Sequence, residues 1–119
     1  MPTMLVVDDQ QDLCEILASY FSAKGFEVSS AFSGEEALHR IEQRPPEVIL
    51  LDILLPGISG LEVLKRVRHA FPGTRVVMVT GTDRPEWRAE AKLFGANGYV
   101  TKPFELRDET WSAVLASGA

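Results

Sequence analysis

The chain has one cysteine, Cys14, so no disulfide can form within it. A reducing compartment suits such a chain, and a cytoplasmic location is the expectation. No apolar run approaches membrane-spanning length, and no basic stretch precedes an apolar one near the start, so neither a transmembrane helix nor a signal peptide is expected. Basic residues are the minority: 12 Lys and Arg stand against 17 Asp and Glu, for a net charge of −5. Without a basic stripe, nucleic-acid binding by this chain is not expected. There are two histidines, His39 and His69. Both fall near polar helix faces with no catalytic partner, so they read as surface residues. Internal repeats, low-complexity tracts and linkers are also missing.

What remains is the balance of one folded domain over residues 1–119. Hydrophobic residues make up 45% and charged residues 24%, enough to build a core without a staple. One rhythm repeats along the chain: a short aliphatic run, a polar turn, then a segment of helical period. The runs are Met4–Val7, Phe26–Ala31, Val48–Leu51, Val76–Val79 and Gly98–Val100. Three of them are apolar at every residue, the pattern of strands covered on both faces. Phe26–Ala31 alternates and reads as an edge strand. Between the runs, Leu13, Ile16, Leu17, Tyr20 and Phe21 form one apolar helical stripe. Ser33 with Glu36, and Ser59 with Glu62, predict capping boxes. Asp83 and Pro85 predict the start of a fourth helix, and a fifth is expected from about Glu105 to the end. Five β-α units of this kind predict a doubly wound, flavodoxin-like parallel sheet of order 2-1-3-4-5 with five helices.

In such sheets, ligands bind beyond the carboxyl ends of the strands. Asp8 and Asp9 follow the first run, Asp52 the third, Thr80 the fourth, and Thr101-Lys102-Pro103 the fifth. Taken singly, Asp8 is a turn residue, Asp9 a helix cap and Lys102 a solvated lysine. Together they bring three carboxylates, a hydroxyl and an ammonium to one edge. Two carboxylates 4 Å apart repel by about 1 kcal/mol in water and about 4 kcal/mol at an effective dielectric of 20. Lys102 and a divalent cation would offset that cost, and an all-oxygen set favours a hard ion such as Mg2+. A carboxylate nucleophile beside a cation, a lysine and a hydroxyl suits phosphoryl transfer, with Asp52 as the acceptor.

At these residues the chain resembles the receiver domain of bacterial two-component response regulators. The resemblance rests on Asp8-Asp9, on "LLDILLPGISGLEVL" around Asp52, on Thr80-Gly81 and on "GANGYVTKPF" from Gly95 to Phe104. It implies that Asp52 is the phosphoacceptor, supplied by a sensor histidine kinase or phosphotransfer protein. Asp9 and Asp52 are then direct Mg2+ ligands with the Leu54 backbone carbonyl, and Asp8 acts through water. Thr80 and Lys102 bind phosphoryl oxygens, and Thr80 and Tyr99 form the switch. The face of the fourth helix, fifth strand and fifth helix becomes the output surface, open to a homodimer or another partner. Trp87 and Trp111 lie in that region and serve there as interface anchors if exposed. A cis Lys102–Pro103 peptide is also implied. The chain departs from the family at Gln10, where many members carry another acid. Leu54 offers no polar group to hold an attacking water, so slow hydrolysis of the acyl phosphate is expected. Such a domain is not an enzyme acting on other substrates; it catalyses only its own phosphoryl transfer and hydrolysis. Two alternatives are an aspartyl-phosphate-type phosphatase and a degenerate receiver that only docks. The first would carry a second acid at position 54, and the intact set of Asp8, Asp9, Asp52, Thr80 and Lys102 argues against the second.

Overall fold

The computed structural model describes residues 1–115. Five strands, β1 (Thr3–Val7), β2 (Glu27–Ala31), β3 (Val48–Leu51), β4 (Arg75–Thr80) and β5 (Gly98–Thr101), alternate with helices α1 (Gln11–Ser22), α2 (Gly34–Gln43), α3 (Gly60–Ala70), α4 (Pro85–Leu93) and α5 (Ser112–Leu115). The strands form one sheet of order β2-β1-β3-β4-β5, with every pairing parallel. This is the flavodoxin-like arrangement that the alternating pattern predicts. Both edge strands are incompletely buried, and Glu27–Ala31 alternates in exposure as expected of an edge.

Period-two alternation divides the strand side chains between two cores. On one face Leu5, Val7, Ile49, Leu51, Val76 and Met78 pack under α2, α3 and α4. On the other, Met4, Val6, Val48, Leu50, Val77 and Val79 pack under α1 and the C-terminal segment. The register pairs Val7 with Leu51 and Thr80 with Thr101, so the strands end nearly level and deliver the residues after them to one edge.

Several expectations need correction. The stripe of α1 that enters the core is Cys14, Leu17 and Phe21, while Ile16 is 48% exposed at the rim. Ser33 and Ser59 do cap their helices, accepting the N–H of Glu36 at 3.1 Å and of Glu62 at 3.3 Å. The return half of each box is spent elsewhere: Glu36 accepts the Phe32 N–H, and Glu62 pairs with Arg66. Arg84, without a side-chain cap, precedes α4, and Asp83 pairs with Arg88 instead.

The fifth helix does not begin at Glu105. Residues 107–111 form turns closed by i→i+3 bonds, Thr110 N–H to Arg107 and Trp111 N–H to Asp108, and α5 starts only at Ser112. The stretch before Trp111 has no apolar stripe to dock: Glu105, Arg107, Asp108 and Glu109 are exposed, and Leu106 is 45% exposed. The rest of the expected helix, residues 116–119, lies outside the described residues. Trp111 itself is wholly buried and presents no surface to a partner. Its ring meets Phe21 and Phe104 edge-on, with centroids 5.4 and 5.1 Å away, and its indole N–H donates to the Glu105 carbonyl at 3.1 Å. An aromatic with a satisfied polar atom closes the second core, so the place of Trp111 as an interface anchor is withdrawn. Trp111→Ala should lower the unfolding free energy by about 3–5 kcal/mol in urea titrations. Leu93→Ser, at an exposed position of α4, should change it by less than about 0.5 kcal/mol.

Candidate functional site at the carboxyl edge of the sheet

Adjacent strands β1 and β3 bring Asp8 and Asp52 together. The ladder continues one step past each strand, since Asp8 N–H donates to Ala31 O at 3.1 Å and Asp52 N–H to Val7 O at 3.0 Å. Backbone pairing therefore fixes where both carboxylates emerge. They are only 2% and 5% exposed. Buried carboxylates of this kind require partners.

The main partner is Lys102. Its ammonium donates to Asp8 Oδ2 at 2.7 Å, to Asp52 Oδ2 at 3.0 Å and to Gln10 Oε1 at 3.3 Å. Backbone N–H groups satisfy the second oxygens, Gln10 for Asp8 at 2.9 Å and Leu54 for Asp52 at 3.3 Å. Burial pushes the Asp8 carboxyl above its ordinary range, against the pull of Lys102. For Lys102, burial acts downward, but the hydrogen bonds to Asp8 and Asp52 together outweigh it and raise its pKa. Both groups hold a proton more tightly than they would in water. The Lys102–Pro103 peptide is cis, as expected.

Asp9 is exposed, yet its carboxylate lies with those of Asp8 and Asp52 in a group whose ligand atoms are all within 4.8 Å of one another. Three oxygen ligands in that space, without His or Cys, fit a hard divalent cation. Asp8, Asp9 and Asp52 are the side chains that could hold it, and the Leu54 backbone lies on the loop that leaves Asp52. Gly60 keeps that loop tight. A Cβ on Gly60 would fall 2.8 Å from the Asp52 carbonyl carbon, and the Gly60 N–H closes onto Ile53 O at 2.8 Å. The Leu54 side chain is 59% exposed.

Thr80 ends β4 fully buried. Its hydroxyl accepts the Thr82 N–H at 3.5 Å and is not hydrogen-bonded to Asp52 or Lys102. Its carbonyl accepts the Lys102 N–H at 2.9 Å, tying the ends of β4 and β5 together. Tyr99 also meets Thr82, since its hydroxyl donates to that carbonyl at 2.7 Å. Trp87 is half-buried against the α3–α4 side of the core, with the Arg84 guanidinium 5.1 Å above its ring. Cys14 donates its S–H to the Asp8 carbonyl at 3.4 Å, and burial with the nearby Asp8 charge pushes the thiol up to about 11. It is an inert packing residue at neutral pH.

Two participants were not foreseen in the sequence. Gln10 contributes both its N–H and its side-chain oxygen to the Asp8–Lys102 pair; its place directly after two acids was the available signal. Arg88, paired with Asp83, lies 4.6 Å above the Tyr99 ring. Its spacing from Tyr99 along the chain carries no such signal.

A doubly wound sheet with an acid cluster and a lysine at its switch point defines a class of signalling domain. The chain belongs to the response regulator receiver domain family, whose model matches residues 4–111. It is similar to a CheY-like response regulator receiver domain protein of Methanospirillum hungatei, with 29% identity and a TM-score of 0.93 over 99% of this chain and 94% of that one. The chemotaxis protein CheY4 of Vibrio cholerae is 32% identical, with a TM-score of 0.87 over 98% and 97% of the two chains. The phosphate regulon transcriptional regulatory protein PhoB of Rhizobium meliloti is 36% identical over 106 residues, 87% of this chain and 47% of its own length. The chain thus spans about half the length of the curated relatives it matches. Among the described residues no helix is long and apolar enough to cross a membrane.

Proposed function

We propose that the domain is a phosphorylation-dependent switch in which Asp52 accepts a phosphoryl group from a sensor histidine kinase or phosphotransfer protein. The observation that carries this reading is the ammonium of Lys102 bridging Asp8 and Asp52, with Asp9 beside them. An Asp52 carboxylate oxygen forms the new O–P bond as the donor's P–N bond breaks, and the departing imidazole takes a proton from solvent. Lys102 is within reach to follow the phosphoryl oxygens as negative charge gathers there. Mg2+ held by Asp8, Asp9, Asp52 and the Leu54 carbonyl would supply further charge neutralisation when bound.

Thr80 and Tyr99 converge on Thr82 from two sides. Rotation of the Thr80 hydroxyl toward a phosphoryl oxygen would give up its bond to the Thr82 N–H, and the segment that Tyr99 grips would shift with it. The helix next to that segment, α4, fully buries only Ala91 and is therefore lightly anchored. The α4–β5–α5 face, with Trp87 but without Trp111, is the proposed output surface. Its partner is an effector domain, a separate protein or a second copy of the chain. On this reading the domain works in the cytoplasm and turns over no substrate beyond its own phosphoryl group. The phosphatase alternative fares worse, because the residue two past Asp52 is the apolar, exposed Leu54.

Incubation with acetyl phosphate and Mg2+, followed by intact mass, should show one phosphoryl group on the wild type and none on Asp52→Asn. Equal labelling of the two would remove Asp52 as the acceptor. After the donor is removed, the label should decay over minutes or longer, because Leu54 holds no water for attack. A half-life of seconds would contradict that role for Leu54.

A further inference from the structure

The loop from Asp52 to Ser59 carries the acceptor at one end and the Leu54 backbone two residues on. It contains no helix or strand, and Leu54, Pro56 and Gly57 are exposed. Its shape must come from what it rests on. Gly60 anchors the end next to α3 through its close approach to the Asp52 backbone. The middle of the loop is held from α2.

Glu35, in the first turn of α2, accepts the Ile58 N–H at 3.2 Å. Its carboxylate also covers Gly57, which adopts φ +76°, a left-handed conformation suited to glycine. A Cβ at Gly57 would lie 2.7 Å from Glu35 Cδ, so the absent side chain makes room for the carboxylate. The preceding residue, Gly34, is equally tight against Ile58: a Cβ there would fall 3.0 Å from the Ile58 carbonyl oxygen. The neighbouring Glu36 is engaged elsewhere, with Phe32 and Arg40. A carboxylate in a helix's first turn is favoured by the helix dipole, and an ionised acceptor strengthens a bond to a backbone N–H.

We infer that Glu35 is a positioning residue: by gripping Ile58 and closing over Gly57, it fixes the loop whose near end offers the Asp52 carboxylate and the Leu54 carbonyl to a divalent cation. The inference rests on the cation-dependent reading above and adds to it a residue remote from the acid cluster.

Three variants test it: Glu35→Ala, Glu35→Gln, and Glu42→Ala as a control on the same helix. Amide exchange at residues 54–58 is followed in metal-free buffer, and Mg2+ affinity is measured by calorimetry. Glu35→Ala should speed exchange at Ile58 and weaken Mg2+ binding by about 10-fold, the scale seen when a residue supporting metal ligands is lost. Its circular dichroism should be unchanged. Glu35→Gln keeps an acceptor oxygen and should recover most of both properties, and Glu42→Ala should match the wild type. Ile58 exchange and Mg2+ affinity equal to wild type in Glu35→Ala would overturn the inference. Wild-type protein that takes up no Mg2+ would instead defeat the functional reading beneath it, a result visible before any variant is made.

Discussion

One ammonium joins the ends of three strands. Lys102 follows β5, yet its partners follow β1 and β3, with β4 lying between. Its long side chain passes the end of β4, where its own N–H is bonded to the Thr80 carbonyl. Asp8 and Asp52 are nearly water-free, and breaking such a pair by removing one partner typically costs about 3–5 kcal/mol. The contact is possible only because the sheet has this order and its strands end level. Fold and site are therefore one constraint viewed twice: the apolar strands bring buried acids to the edge, and the cation makes that burial tolerable.

A bridge of this kind also leaves room for change. The ammonium is bound to carboxylates that a divalent cation would share, and it can follow negative charge that arrives at Asp52. Around it, Thr80, Thr82 and Tyr99 form a short chain of hydrogen bonds leading to α4. Arg88 lies across the Tyr99 ring. Movement at the pocket would thus have a physical route to the surface, from the buried Thr80 through Thr82 to the partly exposed Tyr99.

Much of this was legible in the sequence because it depends on local pattern. Uninterrupted Val, Ile and Leu runs mark strands buried on both faces, and polar residues directly after them mark the functional edge. Asp8, Asp9, Asp52, Thr80 and Lys102 were found that way. The failures share a cause: each was settled by neighbours and surroundings that helical or strand spacing does not report. Asp83 looks like a cap until Arg88 competes for it. Ile16 fits the helical stripe of α1 but stays half exposed while Cys14, Leu17 and Phe21 enter the core. The segment from Glu105 to Thr110 has helix-forming residues but no apolar face, so turns prevail until Trp111 enters the core. Glu35 and Arg88 act across gaps of more than ten residues, on a loop and on a ring, where no periodicity points.

Lys102 supplies the positive charge that balances Asp8 and Asp52, in a place that a divalent cation would share. Calorimetric titration of Mg2+ into the wild type and Lys102→Met tests it most directly. Removing the positive charge of Lys102, which would repel a divalent cation sharing the same carboxylates, should tighten Mg2+ binding by about 10-fold or more. Affinity that is unchanged or weaker in Lys102→Met would contradict the account.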